Sequence, residues 1–476
     1  MYSEIVAGMT VSNTLNERGI WECLHCGAPL TQGETGLTCP TRHEYPVVGG
    51  VPLLVREPSH YFWAERASLL RIIRDNRERQ DALGVAPYAG LADAALDRHR
   101  DVLSADAAQA AAFLALLEPS SPMLGTEARD EAIVRSGWSF ETMVPYMLRD
   151  WTGTAEFHAM DARIRAAIDR AFHDARDKSI AFAGCGAGGL LAHVPKEFTR
   201  IVGFDLTLPI LAAARRILDG KALDFYLPRV LSERGRIRLA GGQARHVEVV
   251  AMDALDTAFA DRSLDCIVTV FLTDIVADPV ALASEIRRIL SDDGIWINYG
   301  PSGNNLKALW RFDQTEAAAF FKTAGFAVVQ ADAYRSTNLD ISNVLPAVSF
   351  RNTMCYLTVV RKAGEAKARP TSRKFHSDNI AEIVPMHFPG AHLVHRLEAI
   401  EKNSMLLQHD RIPGRAESWE IGAKAARILL QVDGKRTVGQ IAELLNRRDP
   451  SQPVDEALRA FARFFEQGLL TWRGRN

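Results

Sequence analysis

The chain has 476 residues, a formal net charge of −2 and 47% hydrophobic residues. This length exceeds what one compact core ordinarily supports, so we expect several structural units. The near-neutral charge argues against a general nucleic-acid binder, no apolar run is long enough to span a membrane, and the start MYSEIVAGMT lacks a signal-peptide pattern. We therefore expect a cytoplasmic protein whose six cysteines are not disulfide-bonded.

The first motif in the chain predicts a zinc site. Cys23 and Cys26 form a C-x-x-C pair, and Cys39 and His43 form a C-x3-H pair after twelve intervening residues. Two such pairs can place three thiolates and one imidazole tetrahedrally around Zn²⁺. His25 is the alternative fourth ligand, although its place between two knuckle cysteines gives it worse geometry. A closed four-ligand site of this kind stabilises a small module and leaves no position open for chemistry. Residues 21–55 also resemble the zinc ribbon of some bacterial ribosomal-RNA guanine methyltransferases.

Helical patterns fill most of the next 120 residues. Residues 61–117 are rich in Ala, Leu, Arg and Asp, and a proline-containing stretch at 118–122 ends that helical region. A second helical region is expected over Phe140 to Phe172, and it contains the sequence YMLRDW, which ends in Arg149, Asp150 and Trp151.

Residues 179–207 predict a nucleoside-binding βαβ unit. A buried strand at 180–183 runs into the glycine-rich turn GCGAGG, a helix is expected around 190–192, and a second strand at 201–204 ends at Asp205. Glycines let the backbone approach a ligand, and the acid accepts hydrogen bonds from two ribose hydroxyls. The spacing satisfies the dinucleotide pattern G-x-G-x-x-G through Gly189, and it equally satisfies G-x-G-x-G through Gly184, Gly186 and Gly188.

The strands that follow favour the second cofactor. Residues 249–254 predict a third strand that ends in Asp253, and residues 264–271 predict a fourth. A helix over 279–290, a turn at 292–294 and a strand at 295–298 complete the series. This series resembles a class I methyltransferase, which implies S-adenosylmethionine as cofactor, with Asp253 at the adenine amino group and Ala254 and Phe271 as further cofactor-binding residues.

Two blocks also resemble the carnosine N-methyltransferase family, whose members methylate a histidine imidazole. They are the R-D-W segment and residues 268–301, which keep an acid after the fourth strand and the sequence W-I-N-x-G-P after the fifth. The resemblance implies that Arg149 binds the methionine carboxylate of the cofactor, a task suited to a guanidinium. It also implies that Asp274 is the catalytic carboxylate that pairs with the substrate imidazole. There it accepts the imidazole N–H, fixes the tautomer and stabilises the positive charge that develops on the ring.

The chain departs from that family in the expected substrate pocket. The family's pocket histidine is replaced here by Asn305, and its final-strand tyrosine falls on Thr353, so that Tyr356 is the nearest phenol. We therefore name Asp274, Asn305 and Tyr356 as catalytic candidates and expect a substrate other than carnosine.

The C-terminal part predicts a small peptide-binding domain. After a charged, proline-containing linker at 363–375, helices are expected at 425–430, 438–445 and 454–467, with Thr437 as the cap of the second. This winged helix-turn-helix pattern resembles the PqqD-like recognition domain of peptide-modifying systems, which binds a leader peptide as an added strand. A DNA-binding winged helix is disfavoured because these helices are not strongly basic.

We therefore predict an α/β protein with a Rossmann-like class I methyltransferase sheet, a helical N-terminal extension, a small zinc module and a C-terminal winged helix-turn-helix. The expected boundaries are 1–58, 59–178, 179–362, 363–417 and 418–476. The expected function is methylation of a histidine imidazole in a ribosomally made precursor peptide whose leader binds the C-terminal domain, with no membrane or nucleic-acid partner. The alternatives are a small-metabolite or RNA methyltransferase with a C-terminal dimer interface, and a non-catalytic binding protein.

Overall fold

The computed structural model describes residues 19–33, 35–85, 93–124, 134–136, 140–194, 197–230, 233–239, 247–276, 279–301, 312–338, 351–364, 366, 380–387, 392–395, 404–412, 415–466 and 469–472. Within these residues the chain forms two compact units, 1–124 with 139–369, and 125–138 with 370–476. Strand β5 (Val134–Ser136) lies inside the predicted helical extension, yet it belongs to the second unit.

The helices, in chain order, are α1 Pro58–Val85, α2 Asp93–Leu117, α3 Phe140–Trp151, α4 Ala155–Ala171, α5 Leu208–Leu218, α6 Pro279–Ile289, α7 Gln314–Thr323, α8 Ala423–Leu429, α9 Val438–Arg448 and α10 Val454–Glu466. The strands, in chain order, are β1 Thr31–Gln32, β2 Gly36–Thr38, β3 Glu44–Val48, β4 Val51–Pro52, β5 Val134–Ser136, β6 Ser179–Ala183, β7 Arg200–Asp205, β8 Leu223–Val230, β9 Glu233–Leu239, β10 Val247–Ala251, β11 Leu264–Val270, β12 Leu290–Gly300, β13 Phe326–Asn338, β14 Arg351–Lys362, β15 Pro385–Met386, β16 His392–His395, β17 Ser404–Ile412, β18 Arg415–Gly422 and β19 Thr471–Trp472.

A seven-stranded sheet forms the centre of the first unit. Its order is β10-β7-β6-β11-β12-β14-β13, and its first five strands are parallel while β14 runs antiparallel to both of its neighbours. The near-continuous apolar runs of β6, β7 and β11 are buried, as expected for strands covered on both faces. Strand order reverses between β6 and β11, so the crevice at their carboxyl ends is the expected ligand site of a doubly wound sheet. The predicted Rossmann-like α/β fold is confirmed.

The predicted helix after the glycine turn is present as one short 3-10 helix. Residues Leu190–His193 form a single 3-10 turn, and Val194 already has extended backbone angles (φ −64°, ψ 136°). Pro195 follows directly, and a residue before proline is disfavoured in the α region. A dinucleotide pyrophosphate needs the N-terminus of a helix at this point, so the short turn disfavours the dinucleotide alternative.

The cysteine-containing module packs on the edge of the central sheet. Leu53 forms a parallel bridge with Ala251 at the end of β10, and the Leu54 amide donates to the Ala251 carbonyl at 2.8 Å. Trp21 stacks on Phe259 with ring centroids 4.6 Å apart. One hydrophobic cluster contains side chains from both parts, so the module and the sheet share a core.

Helix α2 is the one candidate membrane span among the described residues. By length and composition alone, Ala94–Ser120 would suffice to cross a membrane, but core helices of soluble proteins pass the same test. Leu103 and Phe113 are buried on this helix, and the Phe113 ring meets Phe225 of β8 edge to face at 6.0 Å. One face of this helix therefore packs on β8.

The second unit combines a small sheet with three helices. Its four-stranded antiparallel sheet has the order β16-β17-β18-β5, and β15 pairs with β19. The predicted helices are present as α8, α9 and α10, and Thr437 caps α9 in a capping box with Gln440. Three of these strands lie within residues 363–417, which the sequence pattern had assigned to a linker and irregular segment.

Candidate active site and metal centre

The glycine turn after β6 adopts the backbone that its composition predicts. Gly184, Gly186 and Gly188 have φ values of 68°, 50° and 76°, a region open to glycine and costly for other residues. The amides of Gly184 and Cys185 both donate to the Phe204 carbonyl, at 2.9 and 3.1 Å. The turn is therefore anchored to the end of β7, beside Asp205.

Asp205 is held in one orientation by backbone amides. Its Oδ2 accepts from the Gly186 amide at 3.1 Å, and its Oδ1 accepts from the Thr207 amide at 2.9 Å. Burial raises the pKa of this carboxyl, although the hydrogen bonds from Thr207 and Gly186 act in the opposite direction. These hydrogen bonds fix the Asp205 carboxylate beside the glycine turn.

The R-D-W segment at the end of α3 lies against the glycine turn. The Trp151 indole donates to the Ala187 carbonyl at 2.9 Å. A Cβ placed on Gly189 would come within 2.6 Å of the Asp150 Cβ, so only glycine allows this approach. The sequence pattern did not indicate this contact, because the two segments are nearly 40 residues apart.

Arg149 lies between two aromatic rings beside the same turn. Its guanidinium carbon is 5.4 Å from the centroid of Tyr146 and 5.5 Å from that of Phe271, and the residue is 6% exposed. Its Nη2 also contacts Asp150 Oδ1 at 2.7 Å. The structure therefore brings together Arg149 and Phe271, which were both predicted to bind the cofactor.

Phe271 begins the segment that follows β11 and has an unusual backbone. Its φ is 50°, and its amide donates to the Tyr299 carbonyl at 2.9 Å. A non-glycine residue in the left-handed region costs energy, and such residues cluster at functional sites. Leu272 then packs on the glycine turn, since a Cβ on Gly184 would lie 3.2 Å from its Cδ1.

Asp274 lies in the turn that Leu272 begins. The residue is 5% exposed, and burial raises the pKa of its carboxyl to about 6. A hydrogen-bonded network supports the turn from β12: Asn298 Oδ1 accepts from Thr273 at 3.2 Å and from Thr269 at 2.8 Å. The Trp296 indole donates to the Thr269 hydroxyl at 2.8 Å. The W-I-N sequence thus positions the Asp274 turn.

Of the two remaining catalytic candidates, Tyr356 and Asn305, the structure describes only Tyr356. Tyr356 lines a cleft between α7 and the sheet together with Thr273 and Asn298. By strand register it lies on the opposite face of the sheet from Tyr299 and Cys355. Asn305 falls outside the described residues.

A polar cluster between α4 and the sheet was missed by the sequence patterns. Arg163 donates to the Tyr299 hydroxyl at 3.2 Å and lies 4.1 Å from the centroid of the Tyr334 ring, and the Ser336 hydroxyl hydrogen-bonds to Glu156. The Tyr299 ring meets Phe271 edge to face at 5.9 Å, so the cluster adjoins the predicted cofactor residues. Its only local signal is that Glu156 and Arg163 lie on one helix face.

Burial in this region also affects Cys355. Its thiol pKa rises to about 11, first because of burial and further because of the negative charges of Glu156 and Asp274.

Asp253 and Ala254 occupy the turn after β10, at the same edge of the sheet. The Asp253 carboxylate accepts from the Leu255 amide at 2.9 Å, and its carbonyl accepts from the Asp256 amide at 3.2 Å. This turn lies beside β7, whose end carries Asp205, because β10 and β7 are paired.

The four predicted metal ligands lie together. The Sγ atoms of Cys23, Cys26 and Cys39 and a ring nitrogen of His43 all lie within 4.8 Å of one another. Cys26 and Cys39 are 3.8 Å apart at Sγ, and His43 Nδ1 lies 3.4 and 3.3 Å from Cys23 and Cys39. Ordinary Zn–S and Zn–N bonds in a tetrahedron give separations of about 3.8 Å and about 3.6 Å. The donor set therefore fits zinc.

The alternative ligand His25 is turned toward another partner. Its Nε2 donates to the Arg56 carbonyl at 2.8 Å, while its ring stacks on His43 with centroids 4.6 Å apart. The Tyr45 hydroxyl, which is buried, contacts Cys23 Sγ at 3.3 Å and holds that thiol in place.

Comparison with known proteins identifies the central part of the chain. Residues 182–298 match the family described as methyltransferase domain, which is about a quarter of the chain. No curated protein matches the chain.

Among solved structures, an S-adenosylmethionine-dependent methyltransferase from Methanosarcina mazei is 16% identical, covering 41% of this chain and 97% of that one, with a TM-score of 0.29. An S-adenosylmethionine-dependent methyltransferase from Aquifex aeolicus is 13% identical, covering 41% of this chain and 88% of that one, with a TM-score of 0.28. The YcgJ protein from Bacillus subtilis is 13% identical, covering 42% of this chain and 98% of that one, with a TM-score of 0.32.

Proposed function

We propose that the chain is an S-adenosylmethionine-dependent methyltransferase whose acceptor is an imidazole nitrogen of histidine in a ribosomally synthesised peptide. The observation that carries this proposal is Asp274, a buried carboxyl whose turn packs on the glycine turn of the cofactor site. Bound S-adenosylmethionine supplies a methyl group on a sulfonium, which is already an activated leaving group.

A carboxylate at this place suits an imidazole acceptor. An imidazole attacks with the lone pair of one nitrogen while its other nitrogen carries a proton, and Asp274 accepts that N–H. The N–CH₃ bond forms as the S–CH₃ bond breaks, and the ring becomes positively charged. The Asp274 carboxylate stabilises that charge in a site where burial strengthens the attraction. Alignment supplies the rest of the rate enhancement.

The cofactor-binding roles rest on the contacts of the glycine turn. Arg149 is held between Tyr146 and Phe271, and its guanidinium suits the methionine carboxylate. Asp205 takes the ribose hydroxyls and Asp253 the adenine amino group. These three residues and Asp274 come from segments at the same edge of the sheet.

A peptide acceptor is proposed because of the second unit. Its sheet-and-helix arrangement and its capped α9 agree with the PqqD-like resemblance, and a cleft between α8 and α10 is rimmed by Lys424, Gln452 and Glu456. A leader peptide held by this unit raises the effective concentration of the acceptor, so the catalytic pocket need not bind it tightly.

One observation favours a small histidine-containing metabolite as the second candidate. Glu156 and Arg163 present opposite charges on one face of α4, beside Tyr299. A free amino-acid-like molecule carries both an ammonium and a carboxylate, and these two side chains suit it.

Labelled S-adenosylmethionine distinguishes the two acceptors. The full-length enzyme is incubated with a cell extract separated into peptide and metabolite fractions, and the label is followed by mass spectrometry. We expect label in the peptide fraction, reduced by Lys424→Glu at the cleft rim and retained by the matched change Arg447→Glu outside the cleft. Label among metabolites alone would overturn the peptide acceptor and support the second candidate.

We also propose that the Cys23, Cys26, Cys39 and His43 group holds a structural zinc ion. Three thiolates and one imidazole close a tetrahedron, which leaves the metal no site for substrate. The matched variants are His43→Asn and His25→Asn. We expect the first to lose about one zinc per chain by elemental analysis and the second to retain it. Retention in both would contradict the ligand set.

A further inference from the structure

The segment that joins the metal module to α1 is bonded to the turn that carries Asp253. Arg56 donates to Asp256 through two nitrogens, Nε to Oδ2 at 2.7 Å and Nη2 to Oδ1 at 3.2 Å. The two side chains are 18% and 23% exposed, so this bidentate pair is largely shielded from water. Such a fork fixes geometry more strongly than a single ion pair.

Asp256 in turn determines the shape of the adenine-side turn. Its amide donates to the Asp253 carbonyl at 3.2 Å, and the two residues form a backbone bridge. The Leu255 amide donates to the Asp253 carboxylate. The Arg56 guanidinium therefore holds one end of the turn whose other end presents Asp253.

The same arginine is tied to the metal centre through its backbone. His25 donates from Nε2 to the Arg56 carbonyl at 2.8 Å. His25 lies between Cys23 and Cys26, and its ring stacks on the ligand His43. A metal that fixes the knuckle thus fixes His25, and His25 fixes the backbone from which the Arg56 side chain extends.

We propose that Arg56 is a positioning residue that couples the metal centre to the adenine end of the cofactor site, so that zinc and cofactor bind cooperatively. The proposal rests on the assigned zinc and cofactor sites and is independent of the methyl acceptor. Metal binding orders the knuckle. If the Asp253 turn is already ordered, aligning it on the adenine amino group loses less conformational entropy, and the cofactor binds more tightly. Coupling between two sites is reciprocal, so the cofactor must also tighten the metal.

Reciprocity gives a test that needs no metal-free protein. Full-length zinc-loaded enzyme is mixed with a chromophoric zinc chelator, and metal release is followed with and without saturating S-adenosylhomocysteine. We expect saturating S-adenosylhomocysteine to tighten zinc binding, measured by competition with the chelator, at least about fivefold. This is within the range usual for coupled sites. In Arg56→Gln this protection is lost, while release without S-adenosylhomocysteine stays close to that of the parent protein.

Two variants make the outcome decisive. Arg262→Gln removes an arginine from a pair with Asp292 that is about 70% exposed on both sides, and it should keep full protection. Asp256→Asn breaks the Arg56–Asp256 pair by removing the carboxylate. It replaces Arg56→Gln in the test if circular dichroism shows that Arg56→Gln does not fold. The proposal is overturned if S-adenosylhomocysteine protects zinc from the chelator equally in the parent protein and in Asp256→Asn. It is also overturned if the parent protein binds S-adenosylhomocysteine by calorimetry and its zinc is not protected. Failure of that binding would instead contradict the cofactor site.

Discussion

Burial of Asp274 has opposite effects on stability and on chemistry. Its folded pKa of about 6 lies above the ordinary value of 3.8 for an aspartate, so the charged form is destabilising in the folded protein. That cost is absent below pH 3.8 and fully present above pH 6, and two pKa units correspond to about 3 kcal/mol at most. The protein tolerates this cost in order to keep a carboxylate at a dry site.

Replacing Asp274 separates these effects. We expect Asp274→Asn to lower kcat by at least about a hundredfold, because the imidazole N–H loses its charged acceptor. The free energy of unfolding at pH 8 should rise, by up to about 3 kcal/mol, because a buried charge is removed. Calorimetry with S-adenosylhomocysteine should give an affinity near that of the parent protein. Asp292→Asn serves as the control: Asp292 is an exposed residue of β12, so the change should alter neither kcat, nor the free energy of unfolding, nor the cofactor affinity. A large loss of cofactor affinity in Asp274→Asn would mean that Asp274 binds cofactor.

Acid should stop methyl transfer through two groups at once. Asp274 is protonated as the pH falls through about 6, and a free imidazole acceptor is protonated near pH 6.5. Both losses lower kcat/KM, which reports the free enzyme and free substrate. We expect log(kcat/KM) to fall with a limiting slope of 2 below about pH 5.5. A limiting slope of 1 would indicate that the charge of Asp274 is not used.

At the scale of elements, the contact between α3 and the glycine turn joins Arg149 to the cofactor site. Gly189 has φ −58° and ψ −42°, angles that any residue adopts, so its requirement is for space and not for backbone freedom. Asp150 occupies that space.

We therefore expect Gly189→Ala to push α3 away from the turn and weaken cofactor binding about tenfold. The measurement is calorimetric titration with S-adenosylhomocysteine. Gly33→Ala, in the hairpin of the metal module, introduces the same methyl group away from this contact and should leave the affinity unchanged. Normal affinity in Gly189→Ala would contradict a role for the α3 contact.

Local signals predicted the elements whose causes are local. Thr437 indicated the start of α9 because a capping hydroxyl bonds within its own turn. Glycines at 184, 186 and 188 indicated the turn because positive φ is a property of single residues. The shortness of the 3-10 helix after Gly189 has a local cause as well, in Pro195.

The rest of the site depends on contacts between distant segments. Arg163 meets Tyr299 only because α4 packs on β12, and Arg56 meets Asp256 across 200 residues. No periodicity or spacing encodes such pairs. The positions of Asp205 and Asp274 followed from strand endings, whereas the opposite-face placement of Tyr356 followed only from the register of β14 with β12.

At the scale of the whole molecule, two compact units should melt as two transitions. The cofactor residues all belong to the first unit, so S-adenosylhomocysteine stabilises that unit alone. At a hundred times its Kd, the ligand adds about 2.7 kcal/mol. We expect scanning calorimetry to show one transition that moves up by several degrees and a second that stays in place. A single transition that moves as a whole would show that the units unfold together.

The pairing of β5 with β18 also bears on how the chain is made. Ser136 lies opposite Ser418, so β5 leaves the ribosome about 280 residues before its partner. At about 5 to 20 residues per second, the wait is roughly 15 to 60 s. During that interval β5 is a strand without its partner strand, while the seven-stranded sheet of the first unit is being completed. The second unit can close only after its strands and helices beyond residue 380 have been made, so it matures later than the seven-stranded sheet.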